Sequence, residues 1–372
     1  MIYLDNAATT FPKPRRVTAE VMRCLSEYCG NPGRGSHRLA LAAADQIFSC
    51  REALASFLGI SAPERIIFTQ NATYALNLAI KGFLRRGDHV LISELEHNAV
   101  RRPLCALRRD QNATFERFPV VGLSPAQILE GIRARTRPQT AGVICTHASN
   151  ICSISLPLAE IGAFCNARGL FFIVDAAQSA GHLAIDMKQM RISALALPAH
   201  KALYGIQGAG ALLLAKGVDP RPLFEGGSGS DSLAEEMPAY PPERYEAGTL
   251  ATPAIVGLLA GMEFLQAYGI ERICAQEKEL FRAARERLES IPSITVYARE
   301  QEGAVLLFDH TDYAPEEIAR HLAQEGICVR AGYHCAPFAH EALGTLARGA
   351  VRLGFGAFNT LSDLDALWRA LK

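Results

Sequence analysis

Between residues 65 and 215, short apolar runs alternate with longer amphipathic ones. Residues 65–69, 90–93, 141–146, 170–175, 194–197 and 209–215 are short, aliphatic and nearly free of charge, which predicts buried strands. Residues 73–83, 98–109, 125–134 and 158–167 place apolar side chains at helical spacing. This alternation predicts an α/β fold with a mostly parallel sheet covered by helices on both faces. The stretch 226–242 is rich in Gly, Ser and Pro and reads as a long loop. A long helix-like region follows over 253–290. Strand-like runs at 305–308, 327–330 and 350–353 then alternate with helix-like runs at 315–324 and 361–371. These predict a smaller α+β domain, with which the N-terminal segment of about residues 1–20, opening on the strand-like Met1-Ile2-Tyr3-Leu4, is expected to pack. The expected division is a large domain over 16–255 and a small domain made of 1–15 and 256–372.

Bulk properties narrow the function classes. The chain has 372 residues, 49% of them hydrophobic, enough for a sizeable core. Lys+Arg and Asp+Glu are 38 each, so no basic footprint for a nucleic-acid partner is expected. The opening residues lack the basic segment of a signal peptide. The nearly uncharged stretch 138–159 is interrupted by His147, Asn150 and several Ser and Thr, so no membrane span is expected there. Ten cysteines occur without a C-x-x-C, and Cys24, Cys105, Cys145, Cys165 and Cys274 sit in apolar runs. Reduced thiols in a cytoplasmic enzyme fit that usage better than a disulfide framework.

The chemistry begins with Asp175 and Lys201. Asp175 ends the run Leu170-Phe171-Phe172-Ile173-Val174, and Lys201 follows the next apolar run in Pro198-Ala199-His200-Lys201. A pyridoxal phosphate site needs such a pair. The carboxylate keeps the pyridine nitrogen protonated, and the amine forms the Schiff base. Each residue alone is more often a surface charge, so the case rests on the other parts.

Thr73 opens a helix after a strand and a polar turn, a natural phosphate seat, although Thr is also a common N-cap. His97 follows another strand, where an imidazole can cover a flat ring, move protons or simply cap a helix. Asn150 and Gln178 stand in strand-end loops and can donate an amide to a phenolate oxygen or to loop backbone. Glu246-Ala247-Gly248-Thr249 offers close backbone approach at Gly248 and a hydroxyl at Thr249. Cys335, in Arg330-Ala331-Gly332-Tyr333-His334-Cys335-Ala336-Pro337, reads as an exposed loop thiol beside basic groups that favour thiolate. A metal site of Cys335, His334 and His340 is the weaker alternative, since paired ligand spacings are absent. Arg352 lies on a predicted strand, where it either clamps a carboxylate or forms a salt bridge.

Taken in order, these pieces resemble a known group. They run L-D-N-A-A-T-T at 4–10, N-A-T at 71–73, E-L-E-H-N at 94–98, S-N at 149–150 and D-A-A-Q at 175–178. They continue with H-K at 200–201, E-A-G-T at 246–249, R-A-G-Y-H-C-A-P at 330–337 and F-N-T at 358–360. The series resembles the class V aminotransferases among fold-type I pyridoxal phosphate enzymes, and within them the cysteine desulfurases and selenocysteine lyases. The resemblance implies a fold-type I transferase whose small domain carries the cysteine loop. It implies that Lys201 carries the cofactor and moves the Cα proton, and that His97 stacks on the ring. Asp175 would pair with the ring nitrogen, Asn150 and Gln178 with the phenolate oxygen, and Thr73 and His200 with the phosphate. Thr249 would reach the phosphate of a neighbouring subunit, which implies a homodimer. Arg352, helped by Arg330, would hold the substrate carboxylate. Cys335 would take sulfur from L-cysteine as a persulfide, leaving alanine, and pass it to an acceptor, which can be a protein.

Two positions depart from the group's pattern. Pro198 replaces a small hydroxyl residue before the lysine, and Ser153 replaces a glycine after Asn150. Either can affect cofactor binding or substrate choice. The alternatives are a selenocysteine lyase, another class V aminotransferase or lyase in which Cys335 is a bystander, and a silent scaffold. Retention of both Lys201 and Cys335 speaks against the scaffold.

Overall fold

The computed structural model describes every residue except Arg34, Arg299 and Gln301. A two-residue strand, β1 (Ile2–Tyr3), opens the chain. The central sheet contains β2 (Ile66–Thr69), β3 (His89–Ser93), β4 (Thr114–Phe118), β5 (Thr140–Thr146), β6 (Phe171–Asp175), β7 (Ala194–Pro198) and β8 (Gly210–Leu214). Their order is β2-β8-β7-β6-β5-β3-β4. The pairs from β7 to β4 are parallel, and β8 runs antiparallel to both of its neighbours. The fold is therefore α/β with a mixed, mostly parallel sheet, as the alternation of runs predicts.

Strand periodicity explains the two-sided core. Val143, Cys145, Phe172, Val174, Leu195 and Leu197 join one buried cluster. Ile144, Ile173, Ala194 and Ala196, the residues between them, join another. Alternate side chains point to opposite faces, so an unbroken apolar run supplies both. The helices of this part are α1 (Arg15–Arg23), α2 (Arg38–Leu58), α3 (Ala72–Phe83), α4 (Asn98–Gln111), α5 (Pro125–Arg135) and α6 (Leu158–Ala167). Edge strand β4, Thr-Phe-Glu-Arg-Phe, is mostly half-exposed and lacks an apolar run, so the hydrophobic pattern does not reveal it.

Residues 215–251 hold no regular element, in keeping with the Gly/Ser/Pro-rich stretch. The helix-like region after it is two helices, α7 (Thr252–Tyr268) and α8 (Ile270–Glu289). Their axes bend by 80°. Gly269 sits at the break with φ +95°, a backbone conformation that L side chains rarely adopt. Among the described residues, no single helix is long and apolar enough to cross a membrane.

The C-terminal part contains β9 (Ile294–Tyr297), β10 (Val305–His310), β11 (Ile327–Cys328), β12 (Arg330–Gly332) and β13 (Ala350–Gly354). Its helices are α9 (Pro315–Gln324), α10 (Pro337–Ala342) and α11 (Leu361–Leu371). β12-β13-β10-β9 form an antiparallel sheet, and β1 pairs in parallel with β11. The single strand expected over 327–330 thus divides at Val329, one half serving each sheet. Leu4 joins the core of this part with Leu306, Phe308, Val351 and Leu353.

Candidate active site

The C-terminal ends of β5, β6 and β7 open onto one cavity. Among the residues lining it are Thr73, His97, Asn150, Asp175, Gln178, His200 and Lys201. Seven expected site residues, from five separate loops and helix starts, therefore meet where ligands bind in open α/β sheets.

Asp175 ends β6 and is buried. Its Oδ1 accepts from the Ala177 backbone N–H at 2.9 Å. Burial pushes its carboxyl pKa up, opposed by that hydrogen bond and by Lys201. Lys201 stands three residues past the end of β7, in a turn closed by the Tyr204 N–H donating to the Lys201 carbonyl at 2.8 Å. Tyr204 takes φ +56° to make that turn. Burial lowers the Lys201 ammonium to about 8, with Asp175 opposing the shift. A neutral amine is the form that attacks a carbonyl carbon.

His97 caps α4, its Nδ1 accepting from the Ala99 N–H at 3.0 Å. Its ring is held neutral, at about 4, first by burial and then by the positive charges of Lys201 and Arg352. With Nδ1 accepting, the proton sits on Nε2. His200 is also held at about 4, by burial and then by Lys201 and Lys13. Its buried Nδ1 has no hydrogen-bond partner among the described residues. Asn71, not Thr73, caps α3, accepting from Tyr74 N–H at 3.1 Å. Thr73 is exposed at the start of the helix, where backbone N–H groups and the helix dipole attract anions. Gln178 donates to the Ala7 carbonyl at 2.8 Å, and Asn150 donates to the His334 carbonyl at 2.8 Å.

Cys335, Arg352, Arg330 and Thr249 do not line this cavity. Cys335 is exposed on the loop between β12 and α10, yet that loop is tied to the cavity wall. Asn98 N–H, next to His97, donates to the Cys335 carbonyl at 2.7 Å, while Asn150 holds the preceding carbonyl. His334 and Cys335 take φ of +48° and +56°. Such backbone persists only where its surroundings hold it. The holding chain runs through His334 Nδ1 to His340 Nε2 at 3.2 Å and His340 Nδ1 to the Thr345 hydroxyl at 2.7 Å. His334 Nε2 meets the Arg330 carbonyl at 3.2 Å. Both imidazoles are thus engaged at both nitrogens, which leaves no ring nitrogen for a metal shared with Cys335.

Arg352 is buried on β13. It donates to the Asn150 carbonyl at 3.0 Å and pairs with Asp5 at 2.6 Å. Its Nε has no partner among the described residues. Arg330 stands directly across the strand pair from it and is exposed. Thr249 is exposed in the loop before α7, bordering separate grooves with Gly227 and Gly248.

Three neighbours were given no role from sequence. Asp5 anchors Arg352. Lys13 donates to the Thr10 hydroxyl at 2.7 Å and the His200 carbonyl at 2.9 Å, and burial lowers it to about 8. Glu96 is fully buried, accepts from the Ser93 hydroxyl and Thr146 N–H, and is pushed up to about 8 chiefly by burial. Asp5 and Glu96 both lie inside motifs quoted above, but nothing in their spacing tells their partners. The two departures also find places. The Ser153 hydroxyl bridges Val305, donating to its carbonyl at 2.8 Å and accepting from its N–H at 3.2 Å. Pro198 ends β7 and lines the cavity without a polar contact.

The donor set suits a flat pyridine-bearing phosphate ester. A buried carboxylate, a low-pKa amine, a neutral imidazole and a helix N-terminus converge, with a ring nitrogen of His200 left unsatisfied.

Comparison with known proteins agrees with this arrangement. A probable cysteine desulfurase of Halalkalibacterium halodurans is 31% identical over 380 residues, covering all of this chain and 92% of that protein. One from Methanothermobacter thermautotrophicus is 32% identical, covering all of this chain and 94% of that protein. Another, from Mycolicibacterium paratuberculosis, is 32% identical, and there the chain spans only 55% of the relative's length. The apo structure of a cysteine desulfurase from Thermococcus onnurineus superposes with a TM-score of 0.90 at 28% identity, covering all of this chain and 93% of that one. An Escherichia coli cysteine desulfurase with an S-sulfonic acid gives 0.88 at 26% identity, covering 99% and 93%. The sequence profile of the class-V aminotransferases matches residues 2–367, and the chain belongs to that family.

Proposed function

We propose that this chain is a pyridoxal phosphate-dependent cysteine desulfurase that moves sulfur from L-cysteine to Cys335. The observation that carries this reading is the tether between the Cys335 loop and the Lys201 cavity, through Asn98 and Asn150. A bystander thiol needs no such double anchorage in a left-handed backbone.

When bound, pyridoxal phosphate supplies an electron sink for bonds at the substrate Cα. Asp175 would hold the ring nitrogen, His97 would cover the ring, Asn150 and Gln178 would meet the phenolate oxygen, and Thr73 and His200 would take the phosphate. Arg352 would hold the substrate carboxylate, with Arg330, directly across the strand pair, adding positive charge. Lys201, as neutral amine, takes the Cα proton. The Cys335 thiolate attacks the substrate sulfur. The new S–S bond forms as the substrate C–S bond breaks, and its electron pair stays with the carbon that becomes the alanine methyl. Cys335 is left as a persulfide for an acceptor.

Residues 16–255 form the large domain in this reading, with 1–15 and 256–372 the small one. Thr249 serves the second subunit of a homodimer, a role that accords with its standing outside its own cavity. Ten free cysteines accord with a reducing, cytoplasmic setting.

The test is alanine release from L-cysteine by cofactor-loaded protein with a reductant. Wild type should form alanine, and Cys335→Ala should fall to background while keeping the cofactor absorbance. Undiminished alanine from Cys335→Ala would refute the assignment.

A further inference from the structure

Three donor side chains converge away from the cofactor cavity. Cys274 and Glu277 lie three residues apart on one face of α8. The turn after Gln178 brings His182 to them. His182 Nδ1 lies 2.8 Å from Glu277 Oε2, and Cys274 Sγ donates to the His182 carbonyl at 2.8 Å. The ligand atoms of all three are within 4.8 Å of one another.

Glu277 supplies the second observation. It is 2% exposed, and its Oε1 is buried without a hydrogen-bond partner among the described residues. His182 Nδ1 likewise makes no aligned hydrogen bond despite its approach to Oε2. A buried ion pair that only stabilised the fold would have its remaining lone pairs satisfied.

We propose that His182, Cys274 and Glu277 form a divalent metal site of the zinc class, with a fourth position for water. Nitrogen, sulfur and carboxylate oxygen are the donors Zn²⁺ takes, at about 2.0–2.3 Å. Drawing the three donors around one ion requires side-chain adjustment of about an ångström, by the same bond lengths. The charges balance, since a thiolate and a carboxylate neutralise the dication, which suits a buried place. Metal binding displaces the thiol proton and the proton on His182 Nδ1 to solvent. The half-buried edge of His182 provides the entry path.

The test uses cofactor-loaded protein incubated with Zn²⁺, desalted and assayed for metal by mass spectrometry. Wild type should retain one zinc per chain. Cys274→Ala and His182→Ala should retain less than a tenth of that, and Cys335→Ala should retain it in full. Co²⁺ in place of Zn²⁺ should give tetrahedral ligand-field bands in wild type that vanish in Cys274→Ala. Circular dichroism of the metal-free variants checks folding, and a melting temperature that zinc raises only in wild type provides a second readout. No retained zinc in wild type, or equal retention in folded Cys274→Ala, would overturn the site. Neither outcome depends on whether the chain desulfurates cysteine.

Discussion

Lys201 and Glu96 are both buried beside Asp175, and burial moves them in opposite senses. The ammonium is lowered to about 8 and the carboxyl raised to about 8, because each sheds its charge. Pyridoxal phosphate added to apoprotein should therefore react at a rate that climbs through pH 8 and then levels, followed by the absorbance of the bound cofactor. A midpoint near the ordinary lysine value would contradict the Lys201 environment. Glu96 bears on stability. Its folded pKa lies above its unfolded one, so its contribution is fully present below about 4.5 and is lost as pH rises through about 8. Melting temperature measured from pH 5 to 9 should fall less for Glu96→Gln than for wild type. Parallel curves would show that Glu96 is not protonated in the fold. Asp175 ends an apolar run, and Lys201 and His97 follow two others, which singled them out in sequence, and the structure brings all three to one cavity. Sequence left Glu96 silent, since its shift arises from burial by the folded chain, against partners that include Thr146, fifty residues away.

At the scale of elements, the pair Asp5–Arg352 joins the segment after β1 to β13. Removing one partner of a buried ion pair leaves the other charge uncompensated. Asp5→Ala should cost about 3 kcal/mol, the low end for such pairs because Asp5 is partly exposed. It should also raise KM for cysteine by loosening Arg352, with cofactor absorbance unchanged. Denaturant unfolding and steady-state kinetics measure both, and an unchanged KM would separate Arg352 from substrate binding. Gly269→Ala should destabilise by more than about 1 kcal/mol by the same denaturant assay, because the α7–α8 break needs φ +95°. A neutral result would mean that the break does not depend on that backbone state. Buried strands and the helices between them were readable from hydrophobic period. The break at Gly269, the polar edge strand β4 and the change of sheets at Val329 were not. Backbone conformation and edge position set those, and the apolar pattern carries neither.

For the molecule as a whole, the proposed function draws on both packed parts. Loops at the C-terminal ends of the sheet's strands present Lys201, Asp175 and His97, and the C-terminal part presents Cys335 and Arg352. Their union depends on hydrogen bonds between distant segments, Asn98 to Cys335 and Asn150 to His334. Motif order suggested that union, while only the folded chain gives its contacts. The most direct measurement is to expose cofactor-loaded protein to L-cysteine without reductant, trap thiols and map the added sulfur by peptide mass spectrometry. The account predicts one extra sulfur atom on the Cys335 peptide and none on the peptides of the other nine cysteines. Sulfur on another cysteine, or on none while alanine accumulates, would contradict it.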